Sequence, residues 1–175
     1  MNNDIRAQLE TMNKEELIAM MMDLGMDRAF GVISRNMAQS FYKTIDSGKI
    51  LIMIDIANMH AANHLFTMDG TDRRIKNVTD AIRMSDLVIR WGGDELVIVL
   101  NSGDIEDYLV RLDELMQAND LYGVYGVVTT STDLAESVNR ADSIVSATKL
   151  MLEVTGQKPD RNAQYVCLNS VTVYE

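Results

Sequence analysis

The chain has 175 residues, 47% of them hydrophobic, which points to one domain with a core of ordinary size. Its formal net charge of -10 argues against the basic face that nucleic acid or anionic lipid requires, so neither is expected as a partner. An acidic protein that handles a polyphosphate needs metal ions to offset the repulsion. The lone Cys167 rules out an internal disulfide and suits a reducing compartment; it reads as a small buried residue of a late strand. The N-terminus lacks a basic region followed by an apolar run, and no apolar stretch nears the ~20 residues of a membrane span. The expectation is a soluble, cytoplasmic protein.

Residues 3 to 22 read as two short helices. Asn13 with Glu16 forms a capping pair, and Leu17, Met20, Met21 and Leu24 lie at helical spacing. The run Met20-Met21-Met22 suits a partner surface, or more plainly an amphipathic helix on its own core. A third helix is expected over 35 to 45, with Ser34 as N-cap and Met37 and Phe41 four apart, broken by Asp46-Ser47-Gly48. ILIMIDI, residues 50 to 56, is a nearly continuous apolar run that suits a strand buried on both faces and carries the carboxylate of Asp55. Ile75, Val78 and Ile82 predict a helix over 72 to 84. DLVIRW (86 to 91) and ELVIVL (95 to 100) flank Gly92-Gly93, a hairpin signal because tight turns favour positive φ.

After the loop at 101 to 103, Ile105, Leu109, Leu112 and Met116 mark a helix, and 121 to 130 a strand. Leu134, Val138, Ala141, Val145 and Leu152 mark a long helix. Pro159 sits in the most linker-like segment, and 163 to 173 alternate as a last strand. The core order strand, helix, strand, strand, helix, strand is the ferredoxin-like βαββαβ plan of polymerase palms. It is an α+β fold with an antiparallel central sheet and helices packed on one face.

In that plan the first strand and the hairpin can be neighbours, so Asp55, Asp94 and Glu95 converge. Hard carboxylate oxygens on a sheet edge suit Mg²⁺. Two such ions activate a sugar hydroxyl and stabilise a pyrophosphate leaving group. The competing reading makes Asp94 and Glu95 solvated turn residues.

RMSDLVIRWGGDELVIVL resembles the signature of the GGDEF family of diguanylate cyclases, with Leu96 in place of the usual phenylalanine. Arg83-Met84-Ser85-Asp86 stands upstream of the glycines as an RxxD, which in the family forms the inhibitory site for cyclic di-GMP. A guanidinium and a carboxylate at this spacing suit a phosphate and a guanine edge. The likeness extends over residues 27 to 166. Asp27 to Asn36 resembles the opening DxLTGLxNRR, and Asp55 to Asn63 resembles DxDxFKxxN. Arg140-Ala141-Asp142 followed by Lys149 is similar to the RAD…AK helix, and Asp160-Arg161-Asn162 to a GRN motif that here comes late.

The resemblance implies a stand-alone domain, with an N-terminal helical extension over 1 to 26 and a catalytic domain over 27 to 175. It implies condensation of two GTP into cyclic di-GMP, with product inhibition through Arg83 and Asp86. Gly92, Gly93, Asp94 and Glu95 carry the catalytic turn. Asp55, the carbonyl of Ile56 and Asp94 hold Mg²⁺ (or Mn²⁺). Asn63 and Asp72 read guanine, whose ring and exocyclic NH groups a carboxylate accepts and adenine does not offer. Asn58, Met59 and His60, through backbone NH groups at a helix start, and Lys149 and Arg161 contact phosphates. A homodimer is required, each subunit bringing one GTP to a two-fold product.

The sequence departs from the pattern at the second aspartate of DxD, which is Ala57, at His60 and His64, and in the loop 67 to 72. These departures motivate the alternative of a catalytically weak or inactive domain that binds GTP or cyclic di-GMP as a regulator. A third reading is a relaxed cyclase making another cyclic dinucleotide, against which Asn63 and Asp72 argue. His60 and His64 are spaced as helical metal ligands, but no HExxH pattern surrounds them, and no Walker A sequence occurs.

Overall fold

A computed structural model describes residues 3 to 57 and 59 to 156. Two helices open it, α1 (Asn3–Thr11) and α2 (Lys14–Gly25). Asn13 and Glu16 close the expected reciprocal cap on α2. Short strands β1 (Met26–Asp27) and β2 (Val32–Ser34) lead into α3 (Arg35–Phe41), whose cap is the Ser34 hydroxyl accepting from the Met37 amide. This helix is shorter than its apolar spacing suggests. Thr44 instead bridges to Asp133, and the Ile45 amide bonds the Thr132 carbonyl, so tertiary pairing peels the chain away.

β3 (Ile50–Ile56) is followed by α4 (Met59–Phe66) and α5 (Met68–Asp80), where the apolar spacing predicts only one helix. α4 has no fully buried residue, although Met59 packs against the core, and its short stripe of Met59, Ala62 and Phe66 escapes the reading. α5 ends at Asp80 because the amides of Ala81 and Ile82 turn back to Val78 and Thr79. β4 (Leu87–Arg90), β5 (Glu95–Val99), α6 (Ile105–Ala118), β6 (Gly123–Thr129) and α7 (Leu134–Val154) complete the described chain. The expected last strand, with Cys167 and the linker around Pro159, lies outside the described residues.

The sheet has six strands in the order β1-β2-β4-β5-β3-β6. Its β4-β5-β3-β6 portion is the antiparallel βαββαβ core, with β3 between β5 and β6. The pairing of β2 with β4 is parallel, so the sheet is not antiparallel throughout. Cross-strand pairs share a face, which assigns the helices. Gly126 pairs with Met53, and a Cβ on Gly126 would meet the Ala141 carbonyl, so α7 covers the face of Met53 and Asp55. Tyr125 pairs with Ile54 and its hydroxyl donates to Asp113 of α6, so α6 covers the opposite face. α5 packs beside α6, with Arg74 donating to the carbonyl of Asn119. The two core helices therefore share a face as expected, and α7 covers the other. Leu51, Ile52, Met53 and Ile54 are accordingly buried on both sides of β3.

Candidate active site

The antiparallel register sets Asp55, near the end of β3, directly opposite Glu95 at the start of β5. Both carboxylates thus leave the sheet on the face that α7 covers. The Ile56 amide donates to the Asp94 carbonyl at 2.8 Å, which ties the hairpin turn to the strand end. From α7, the Lys149 ammonium ion-pairs with Asp55, which is only 7% exposed.

Like charges crowd this corner. Burial pushes the Asp55 carboxyl above its ordinary range; Lys149 opposes this, and Asp94 and Asp142 add to it. Glu95 is raised by burial first, then by the charges of Asp55, Asp142 and Asp94. Asp142 emerges as a neighbour to which sequence reasoning gives no role. Its spacing of two helical turns from Lys149 is the available signal.

The glycine turn is built differently from expectation. Among the described glycines, positive φ occurs at Gly31, Gly48, Gly103 and Gly156, and at neither Gly92 nor Gly93. Gly92 leaves room for Glu95: a Cβ there would stand 2.3 Å from a Glu95 carboxylate oxygen, which would have to move. A Cβ on Gly93 would meet nothing within 4 Å.

The turn is braced by Arg90, which sequence reasoning missed. Its Nε donates to the Gly92 carbonyl at 3.1 Å and its Nη2 to the Gly93 carbonyl at 3.0 Å. Its Nη1 pairs with Asp27 at 2.9 Å, and the guanidinium lies 3.9 Å from the Phe30 ring centroid. The signal is a lone charge inside the apolar run of β4. Asp27 in turn accepts from the Phe30 amide at 2.9 Å, closing a tight loop before β2.

Asn63 and Asp72 stand half-buried on the adjoining helices α4 and α5. Met59 and His60 open α4, Met59 half-buried and His60 exposed; Asn58 and Arg161 lie outside the described residues. The His60 and His64 rings meet edge to face at 4.6 Å. Among the described residues no three His, Cys, Asp or Glu side chains form a ready-made metal cage. Mg²⁺ does not ask for one, because it takes one or two carboxylates and completes its shell with water and substrate phosphates. A crowded set of hard oxygens at Asp55, Asp94 and Glu95 fits that demand.

Arg83 and Asp86 lie in the turn between α5 and β4. The Arg83 guanidinium donates to the Ser102 carbonyl at 3.2 Å and sits 5.5 Å from the Tyr108 ring centroid. Asp86 is 8% exposed; one carboxylate oxygen accepts from the Asn101 amide at 3.0 Å. The other is buried and makes no well-formed hydrogen bond among the described residues. Burial, with the nearby charge of Asp86 adding, pushes the Tyr108 phenol up to about 12. Arg83, Tyr108 and Arg111 line a pocket of ≈370 Å³. Tyr108 and Arg111 come from the next helix, one turn apart, and no motif in the sequence names them.

The family model "Diguanylate cyclase, GGDEF domain" matches residues 31–151. Among solved structures, the chain is similar to the coiled coil and GGDEF domain of DgcB from Caulobacter crescentus, in complex with cyclic di-GMP. That likeness has 16% identity and a TM-score of 0.63, over 89% of this chain and 93% of the other. A microbial GGDEF domain described with cyclic di-GMP is 18% identical, with a TM-score of 0.61 over 74% of this chain and 92% of the other. The diguanylate cyclase SiaD from Pseudomonas aeruginosa, in complex with its activator SiaC, is 21% identical, with a TM-score of 0.53 over 85% of this chain and 72% of the other. A comparison with curated proteins gives no significant match. At these identities the structural likeness speaks for the fold.

Proposed function

The chain belongs to the GGDEF family, and on that premise we propose that it is a diguanylate cyclase that condenses two GTP into cyclic di-GMP and two pyrophosphates. The observation that carries the reading is the pairing of Asp55 with Glu95 across β3 and β5, beside a turn held to Ile56 through the Asp94 carbonyl. A solvated turn would not bury a carboxylate against two others. Asp55, the Ile56 carbonyl and Asp94 would hold Mg²⁺ or Mn²⁺, which when bound supplies charge neutralisation at the α-phosphate and the leaving pyrophosphate.

The chain's own residues do the rest. Asn63 and Asp72 bind the guanine, and the backbone of Asn58, Met59 and His60, with Lys149 and Arg161, holds the phosphates. Glu95, whose proton affinity burial raises, assists a second metal or helps to take the proton of the ribose 3′-hydroxyl. The 3′-oxygen then bonds the α-phosphorus of the GTP on a second subunit, and the bond to pyrophosphate breaks. Two such transfers in a two-fold homodimer close the ring.

Product binding is assigned to Arg83 and Asp86, with Arg83, Tyr108 and Arg111 on the pocket wall. That same pocket supports a second reading, in which the domain only binds cyclic di-GMP. Among the described residues no helix is long and apolar enough to cross a membrane, and a cytoplasmic place suits the substrate. The test is to incubate the protein with GTP and Mg²⁺ beside Asp94→Ala and identify products by mass spectrometry. Cyclic di-GMP from the wild type alone supports the cyclase. No product, with cyclic di-GMP still bound, transfers the assignment to the receptor reading.

A further inference from the structure

We propose that Lys149 is a built-in counterion that couples metal binding to triphosphate binding: its ammonium holds Asp55 until phosphate draws it away, and only then is the carboxylate free for a divalent cation. The inference rests on the reading of Asp55 as a metal ligand.

The two partners of this ion pair differ in freedom. Asp55 is 7% exposed on a strand hydrogen-bonded on both sides, so its carboxylate stays where it is. The Lys149 side chain is 44% exposed on a flexible four-carbon stem and can swing without disturbing α7. Among the described residues no other cation ion-pairs with Asp55, Asp94 or Glu95. Lys149 is therefore the principal compensation for this negative corner. An ammonium and a divalent ion at contact distance from one carboxylate repel each other, so each must weaken the other's hold.

A triphosphate reverses the balance. It offers the ammonium a richer set of anionic oxygens and brings the metal more ligands. Linkage then requires that phosphate strengthen metal binding by the same factor as metal strengthens phosphate binding. The device keeps the site from filling with metal alone, and makes nucleotide and cation arrive as one event.

The experiment titrates Mn²⁺ without nucleotide, reading free Mn²⁺ by electron paramagnetic resonance, into wild type, Lys149→Gln, Lys149→Arg and Asp55→Asn. Thermal melts confirm that each is folded. Lys149→Gln is expected to bind Mn²⁺ about 30-fold more tightly than wild type, the effect of removing a unit charge ~4 Å from a divalent ion in water. Lys149→Arg should keep the wild-type affinity. The gain in Mn²⁺ affinity given by a non-hydrolysable GTP analogue should shrink in Lys149→Gln. Unchanged affinity in Lys149→Gln, with Asp55→Asn still losing Mn²⁺, overturns the coupling and leaves the metal reading intact. Mn²⁺ binding indifferent to Asp55→Asn overturns both.

Discussion

Arg90 touches no expected position of the nucleotide, yet the geometry makes the Gly92-Gly93-Asp94-Glu95 turn depend on it. Arg90→Ala removes two hydrogen bonds to turn carbonyls, an ion pair to Asp27 and a stacking contact with Phe30. Charged hydrogen bonds contribute about 1.5–3 kcal/mol each, and partial exposure places these near the low end. With the stacking contact, a loss of about 3 kcal/mol follows, or about 6–12 °C in Tm for a chain of this size. Arg90→Lys is the sharper perturbation. It keeps the charge but cannot span Asp27 and both carbonyls with one fork. The turn then loses its fixed position while most of the stability remains. Misplacement on the 1 Å scale costs on the order of 10²-fold in rate, so kcat for cyclic di-GMP should fall about 10–100-fold. KM for GTP should rise as well, since the displaced turn carries Asp94 and metal and nucleotide bind together. Steady-state kinetics beside thermal melts check this. Wild-type kcat in the Arg90→Lys variant would refute the brace. An Asp27→Asn variant that costs as much as Arg90→Ala would show that the ion pair, not the fork, matters.

Asp55→Asn should raise Tm near neutral pH while abolishing turnover. The folded Asp55 carboxyl is raised above its ordinary value of 3.8, chiefly by burial, so its charge opposes folding. That cost is absent below the ordinary value and grows as pH rises through the raised one, so the gain should vanish in melts at or below the ordinary value. Gly126→Ala would set a Cβ 2.1 Å from the Ala141 carbonyl, a backbone contact that cannot yield cheaply. We expect a loss of about 2–3 kcal/mol by chemical denaturation. Activity should fall with it, because α7 carries Lys149. Product made by the wild type is expected to reach a plateau, which Arg83→Ala should release; an unchanged plateau in a time course would disconnect the pocket from feedback.

The parts of the fold legible in the sequence are those governed by local chemistry or strong period. The Asn13–Glu16 box, the Ser34 cap and the apolar run of β3 each appear where the residues place them. What stays hidden depends on partners far along the chain. The early end of α3 follows from Thr44 pairing with Asp133, a contact no local rule contains. α4 is eight residues long with no fully buried side chain, so only its start, at Met59 and His60, is legible, and that through the resemblance. The parallel seam between β2 and β4 rests on a three-residue strand, too short to show alternation.

The site divides in the same way. Convergence of Asp55 with the hairpin is legible because an antiparallel plan puts a strand end opposite a turn, and register then decides the pairing with Glu95. The reason assigned to the glycines is wrong in kind. Gly92 is small because the Glu95 carboxylate folds back against it, which is a demand of packing and not of φ. Tyr108 and Arg111 are illegible because each matters only as a pocket wall, while Arg90 and Asp142 leave faint signals whose meaning depends on another element: a turn carbonyl, a neighbouring carboxylate. Burial and mutual repulsion raise both Asp55 and Glu95, and a single half-exposed ammonium compensates them. A corner selected for stability alone would carry apolar side chains there, as the rest of β3 does. Charge held at a cost on a rigid sheet edge is what a site for cation and polyphosphate requires.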